Sequence, residues 1–219
     1  MRTERIDDAT DVRVDDYRQL QGPRRAGGLI VAEGALVVRR LLAQSHHRVR
    51  SVLATPAALD NVADALVAAP GIVTVFVAPP ALVREIVGFK FHRGCVALGE
   101  RAPDRPVADV LAAPGPRILL ALENLADPDN VGAVFRNAAA FGADGVLLSP
   151  GAADPLSRKA LRASMAAALT MPFARVEDWP VGLADVREAG YALAALAPDG
   201  AVDIADWPAS RPVRLALLV

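Results

Sequence analysis

Residues 123–145 read ENLADPDNVGAVFRNAAAFGADG and place a carboxylate, an amide and a guanidinium at Glu123, Asn130 and Arg136. Such a set can hold an anion or steady a developing negative charge, because an arginine stays protonated and offers five N–H donors in a planar fork. The segment leaves an apolar run, turns at Asp127-Pro128 and enters a helical pattern that Asp129 or Asn130 can cap, with backbone N–H groups left open toward an anion. Arg136 falls two turns into a helix of alanines, glycines and large apolar residues, where it is either a solvated surface charge or a placed binding group. Glu123, at the carboxyl end of the preceding strand, can accept from that arginine, accept from a substrate, or form a plain salt bridge. Further on, Arg158, Lys159 and Arg162 gather three cations in about a turn and a half of helix, next to Ser164. They are either phosphate contacts or a solvated helix face.

The elements that must position these residues follow from the hydropathy pattern. With 219 residues, 53% hydrophobic and 22% charged, the chain can bury one large core or two small ones. From Leu29 apolar runs alternate with helical ones: LIVAE, GALVVRRLLAQ, VRSVLA, PAALDNVADALVAA, IVTVFVA, PALVREIVG and CVALGE. Strands alternating with helices predict a layered α/β domain over 29–100. Residues 1–28 are polar, with a short helix near 12–20 and a Gly-Pro-Arg-Arg-Ala-Gly-Gly stretch, and read as a leader outside the core. Residues 101–116, with Pro103, Pro106, Pro114 and Pro116, read as an exposed linker. A second α/β domain is expected over 117–219, with strands at 117–123, 145–149, 191–197 and 213–219 and helices near 130–141, 156–168 and 181–189. Runs such as ILLAL and RLALLV are apolar throughout, as in strands covered on both faces of a parallel sheet.

The net charge of −1 argues against a protein that grips nucleic acid over its whole surface. Residues 1–100 carry 13 Lys and Arg against 11 Asp and Glu, and residues 101–219 carry 11 against 14, so the front is the more basic half. Across the whole chain every Lys or Arg except Lys90 and Lys159 is an arginine. A lone cysteine, Cys95, can supply neither an internal disulfide nor a zinc cluster, and no metal site is expected. The opening twenty residues are charged and no apolar run is long enough to span a bilayer, so a cytoplasmic protein without a membrane partner is expected.

The 123–145 segment resembles the first signature of the SpoU/TrmH group of SPOUT methyltransferases. In it an acidic residue after a strand precedes Asp-Pro or Asn-Pro, Asn, Gly, an arginine and a final Phe-Gly; Glu123, Pro128, Asn130, Gly132, Arg136, Phe141 and Gly142 all match. The following SPGAADPLSRKALRASMAAAL looks like the family's Ser-rich loop and helix, with Ser164-Met165-Ala166-Ala167 where the family carries Ser-x-Gly-Ala. The first domain resembles the L30e-like substrate-binding domain found in many of these enzymes.

The resemblance implies an L30e-like α/β domain followed by a SPOUT α/β-knot domain, and an enzyme that moves a methyl group from S-adenosylmethionine to a ribose 2′-hydroxyl. It implies an RNA substrate, ribosomal before transfer RNA, and a homodimer. Arg136, Asn130 and Glu123 then become the catalytic candidates. Arg158, Lys159, Arg162, Ser164, Arg24, Arg25, Arg39 and Arg40 become RNA contacts, with Arg48, His46, His47, Phe89, Phe91, His92 and Arg93 as further candidates in the first domain. Phe89 and Phe91 suit the core better than a stacking platform, and His46 and His47 suit the surface. In complete members the last strand runs into a Gly-x-Glu-Gly-x-Gly loop and a Ser-Leu-Asn-Val helix that supply most of the cofactor pocket. Those motifs are not found before Val219, so the sequence reads as a truncated methyltransferase or as a noncatalytic RNA-binding remnant, with the knot incomplete and the cofactor-binding residues unassigned. A nucleotide-binding oxidoreductase would need a Gly-x-Gly-x-x-Gly after a strand, which is missing.

Overall fold

In the computed structural model, which describes residues 1–18, 20, 28–43, 46–88, 91–115, 117–200, 202, 203, 206 and 212–219, the chain forms two sheets of five strands each. The first holds β1 (Arg2–Arg5), β2 (Leu29–Glu33), β3 (Arg48–Ala54), β4 (Thr74–Val77) and β5 (Cys95–Glu100) in the order β1-β4-β3-β5-β2. β1, β4 and β3 run parallel, and β5 is antiparallel to both β3 and β2. Its helices are α1 (Asp15–Arg18), α2 (Ala35–Ala43), α3 (Pro56–Asp60), α4 (Ala63–Ala68) and α5 (Pro80–Val87). One core cluster gathers residues of α2, α3 and α4, and the other gathers residues of α1 and α5, so the sheet has helices on both faces.

The second sheet is parallel throughout, as the uniformly apolar runs predict, because βαβ crossovers place helices on both faces. It holds β6 (Arg117–Leu122), β7 (Gly145–Leu148), β8 (Phe173–Arg175), β9 (Ala192–Ala195) and β10 (Arg214–Leu218) in the order β8-β7-β6-β10-β9. Its helices α7 (Pro128–Ala140) and α8 (Arg158–Ala163) contribute to one core cluster, and α6 (Val107–Leu111) and α9 (Leu183–Glu188) to the other. Phe135 of α7 is fully buried and meets Phe173 of β8 edge to face at 5.7 Å. Cutting such a ring back to alanine costs about 3–5 kcal/mol.

The expected leader is part of the first domain. β1 adds a parallel strand to β4, and Ile6, Val14 and Tyr17 are completely buried. The charges of this segment face out while main-chain bonds, indifferent to side-chain type, hold the strand. The 12–20 helix is a 3-10 turn, Val12–Val14, followed by α1. The expected linker is likewise structured: Pro106 precedes α6 as its N-cap, and Val110 and Leu111 are buried against the second sheet. Proline fixes the backbone angle a helix start needs, so here it opens an element.

The two domains also share a core. A single cluster runs from Ile30 and Ala32 of β2 to Val131, Phe135 and Leu161 of α7 and α8. β2 is an edge strand, and α8 packs against it, covering apolar surface that an edge otherwise exposes. Arg101 bridges to Asp154 at 2.8 Å across the same junction. Among the described residues no helix is long and apolar enough to cross a membrane.

Candidate active site

β6 delivers Glu123 to the carboxyl edge of the second sheet, where the Glu123 N–H donates to the Val219 carbonyl at 2.9 Å. Asn124 follows in the left-handed region with φ 53, a conformation that asparagine tolerates better than most residues. Its N–H donates to Ser149 Oγ, 2.8 Å away at the end of β7. Asp127, rather than Asp129 or Asn130, caps α7 by accepting from the Asp129 N–H at 2.9 Å, and Pro128 takes the first helical position. Lys159 of α8 pairs with Asp129 at 3.1 Å and lies 3.9 Å from Asp127, so two carboxylates and a lysine crowd this helix start.

Gly132 sets the approach of α7 to α8. A methyl group in its place would come within 2.6 Å of both the Ala160 carbonyl oxygen and Ala163 Cβ. One turn further on the same face, Arg136 donates from Nη1 to the Ala163 carbonyl at 3.2 Å. Arg136 is otherwise exposed, and among the described residues no carboxylate pairs with it. Glu123 and Asn130 are exposed too, neither bonded to Arg136 nor to any other side chain described. The three candidates therefore share one edge of the domain, each open to a ligand, without the mutual ion pair or hydrogen bond that the sequence allows.

The expected phosphate contacts divide. Arg162 is exposed and pairs with no carboxylate among the described residues, as a phosphate contact requires. Ser164 is fully buried and its hydroxyl donates to the Leu161 carbonyl at 3.2 Å, because it closes the last turn of α8; it cannot touch RNA. Arg158 sits at the domain junction with Nε 4.0 Å from buried Glu33, and Arg93 reaches Glu33 from the other side at 4.0 Å. In the first domain Arg39 grips Asp64 with both Nη atoms, at 2.5 and 2.6 Å, which holds the Asp64 carboxyl down to about 2. Arg40 and His92 are exposed, Arg48 lies 3.6 Å from Glu100, and Phe91 is core. Arg24, Arg25 and Phe89 lie outside the described residues.

His47 corrects the surface expectation. It is 6% exposed, accepts at Nδ1 from the Ala102 N–H at 3.2 Å, and burial pushes its pKa down to about 4. Burial likewise pushes the Cys95 thiol up to about 11, so it is inert packing. Sequence reasoning missed the left-handed Asn124, Ser149 as its brace, and Arg175, because β8 is a three-residue strand too short to show a period. At the carboxyl end of β9 a cleft of about 580 Å³ is lined by Ala195, Leu196, Ala197, Pro198, Gly200, Val202 and Asp203.

This strand, capped turn and glycine-seated helix coincide with a known domain. A family model described as the SpoU rRNA Methylase family matches residues 117–218. An uncharacterized tRNA/rRNA methyltransferase from Mycobacterium bovis is 38% identical over 201 residues, covering 88% of this chain and 67% of that protein. The chain belongs to the SpoU methylase family. Solved structures agree in fold. An AdoMet-bound rRNA methyltransferase from Sinorhizobium meliloti has TM-score 0.76 and 23% identity over 99% of this chain and 80% of its own. The SpoU methyltransferase AviRb from Streptomyces viridochromogenes has TM-score 0.75 and 24% identity over 94% and 79%. Within this SpoU domain the departure at Ala166 has a visible consequence: its φ is 66, in the left-handed region where a glycine carries no penalty. Together with Met165, φ 52, it breaks the expected 156–168 helix into α8 and a 3-10 turn, Ala167–Leu169.

Proposed function

We propose that this chain carries the catalytic motif of an enzyme that transfers a methyl group from S-adenosylmethionine to a ribose 2′-hydroxyl of RNA, with ribosomal RNA ahead of transfer RNA. The observation that carries the reading is Arg136, an exposed guanidinium without a carboxylate partner among the described residues, seated by the Gly132 contact inside the family-matched domain. Loss of the 2′-hydroxyl proton, to the Glu123 carboxylate or to water, builds negative charge on the oxygen, which then displaces a neutral thioether from the sulfonium methyl. Arg136 stays protonated, so it orients the adjacent phosphate and stabilises that oxygen instead of taking its proton. Asn130 is open to hydrogen-bond the ribose, and Glu123 to accept from the substrate.

S-adenosylmethionine would supply an electrophilic methyl on a sulfonium. Leu196, Pro198 and Val202, exposed beyond β9, would offer apolar contacts to its adenosine part. The reading includes a homodimer working in the cytoplasm, which sedimentation of the chain checks for its oligomeric part. The main test uses methyl-labelled S-adenosylmethionine with unmodified ribosomal and transfer RNA, followed by alkaline hydrolysis. A methylated 2′-oxygen cannot attack its phosphate, so label in alkali-resistant dinucleotides supports the proposal. Label in mononucleotides would show base methylation and overturn the ribose assignment. RNA binding without cofactor binding in calorimetry would replace the enzyme reading with a noncatalytic RNA-binding one.

A further inference from the structure

We propose that Arg175, at the end of β8, is a positioning residue that sets the Glu123–Arg136 edge through the loop after β7. The proposal rests on reading that edge as the reaction site. Half-buried, Arg175 donates from Nη1 to three carbonyls of one short loop: Ser149 at 2.7 Å, Pro150 at 3.2 Å and Ala152 at 3.2 Å. One guanidinium thus gathers three carbonyl groups outside the strands and helices, and adds to the loop's own turn, in which the Ala152 N–H donates to the Ser149 carbonyl at 3.1 Å.

That loop is tied to the segment after β6 in three places. Ser149 Oγ accepts from the Asn124 N–H at 2.8 Å. The Ala153 N–H donates to the Leu125 carbonyl at 2.9 Å. Gly151 lies so close under the Asn124 amide that a side chain there would collide with Asn124 Oδ1. Asn124 in turn holds φ 53, a conformation that persists where its surroundings over-determine it, and it joins Glu123 to the turn that starts α7. Movement of the loop therefore moves Glu123 and the entry of α7 together. Arg175 touches neither candidate group itself, so its effect on the reaction runs through placement.

The test uses the full chain as Arg175→Met and Arg175→Lys, followed by amide hydrogen exchange and by methyl transfer to RNA. In Arg175→Met the Asn124 and Ala153 amides are expected to exchange about tenfold faster while β3 and β5 amides keep wild-type protection, which separates loosening from global unfolding. The kcat falls by about 10- to 100-fold with KM for RNA within about threefold, as for a displaced reacting group. Arg175→Lys recovers part of both, since an ammonium can reach some of the carbonyls. Unchanged exchange at Asn124 and Ala153 overturns the placement, and faster exchange with unaltered kcat overturns its bearing on the reaction. If the wild-type chain transfers no methyl group, the reaction reading fails, and exchange still decides whether Arg175 places the loop.

Discussion

The front half of the chain has more cations than anions and the back half fewer, yet several arginines of the front are tied to carboxylates while two of the back stand open. In the first, Arg13 pairs with Glu4 and Asp11, Arg39 with Asp64, Arg48 with Glu100 and Arg50 with Asp16. In the second, Arg136 and Arg162 stand exposed along the α7–α8 face with no carboxylate described beside them. A guanidinium already satisfied by a bidentate carboxylate has little to offer a phosphate, so the charge count of a domain says less about its ligand than the partners of each charge.

The strongest way to break this comparison is Arg136→Ala. Methyl transfer is expected to drop by about 10²- to 10³-fold, the loss seen when a preorganised charge-stabilising donor is removed, with the unfolding midpoint nearly unchanged. Arg39→Ala, in the more basic domain, should leave the rate within about twofold. Equal losses in the two variants would sink the distinction. Next in size is Gly132→Ala, which forces α7 off the backbone of α8 and is expected to cost about 1–3 kcal/mol in denaturant unfolding, with activity lost beyond the loss of folded protein.

His47 tests the junction between the regions. Its folded pKa is depressed to about 4 from an ordinary 6.5, so between those values the unfolded chain binds more protons than the folded one. The stabilisation is therefore complete above about pH 6.5 and is lost as pH falls toward 4, on the order of 3 kcal/mol. Unfolding midpoints of the wild type and His47→Gln across that window should converge at low pH. A smaller effect separates the cations: Arg162→Ala should reduce the slope of log affinity for RNA against log salt by about 0.7–0.9, while Arg39→Ala leaves it alone. Smallest of all, Ala166→Gly relieves a left-handed alanine but removes a fully buried methyl, so the net change in stability should stay within about 1 kcal/mol.

Much of this site was legible in the order of residues. The Glu123–Arg136 spacing, the flanking apolar strand and the small residues of α7 are local facts, and local facts survive folding. The partners of the cations were not legible, because Asp64 lies far along the chain from Arg39 and meets it only through the packing of α2 with α4. Ser164 read as a phosphate contact because the cations Arg158, Lys159 and Arg162 precede it, whereas the end of α8 turns it inward. β8 and Arg175 left no signal, since three residues carry no period.

By itself, the sequence determined the alternation of strands and helices from Leu29 onward, the parallel character of the second sheet and the motif that marks the SpoU domain, all set by hydropathy period and short-range spacing. Only the tertiary structure decided that residues 1–18 join the first sheet, that α8 seals the edge of β2 into a shared core, and which arginines remain open. These depend on burial and on contacts between residues distant in the chain, where the free energy of a charge or an apolar face is set by what the fold brings against it.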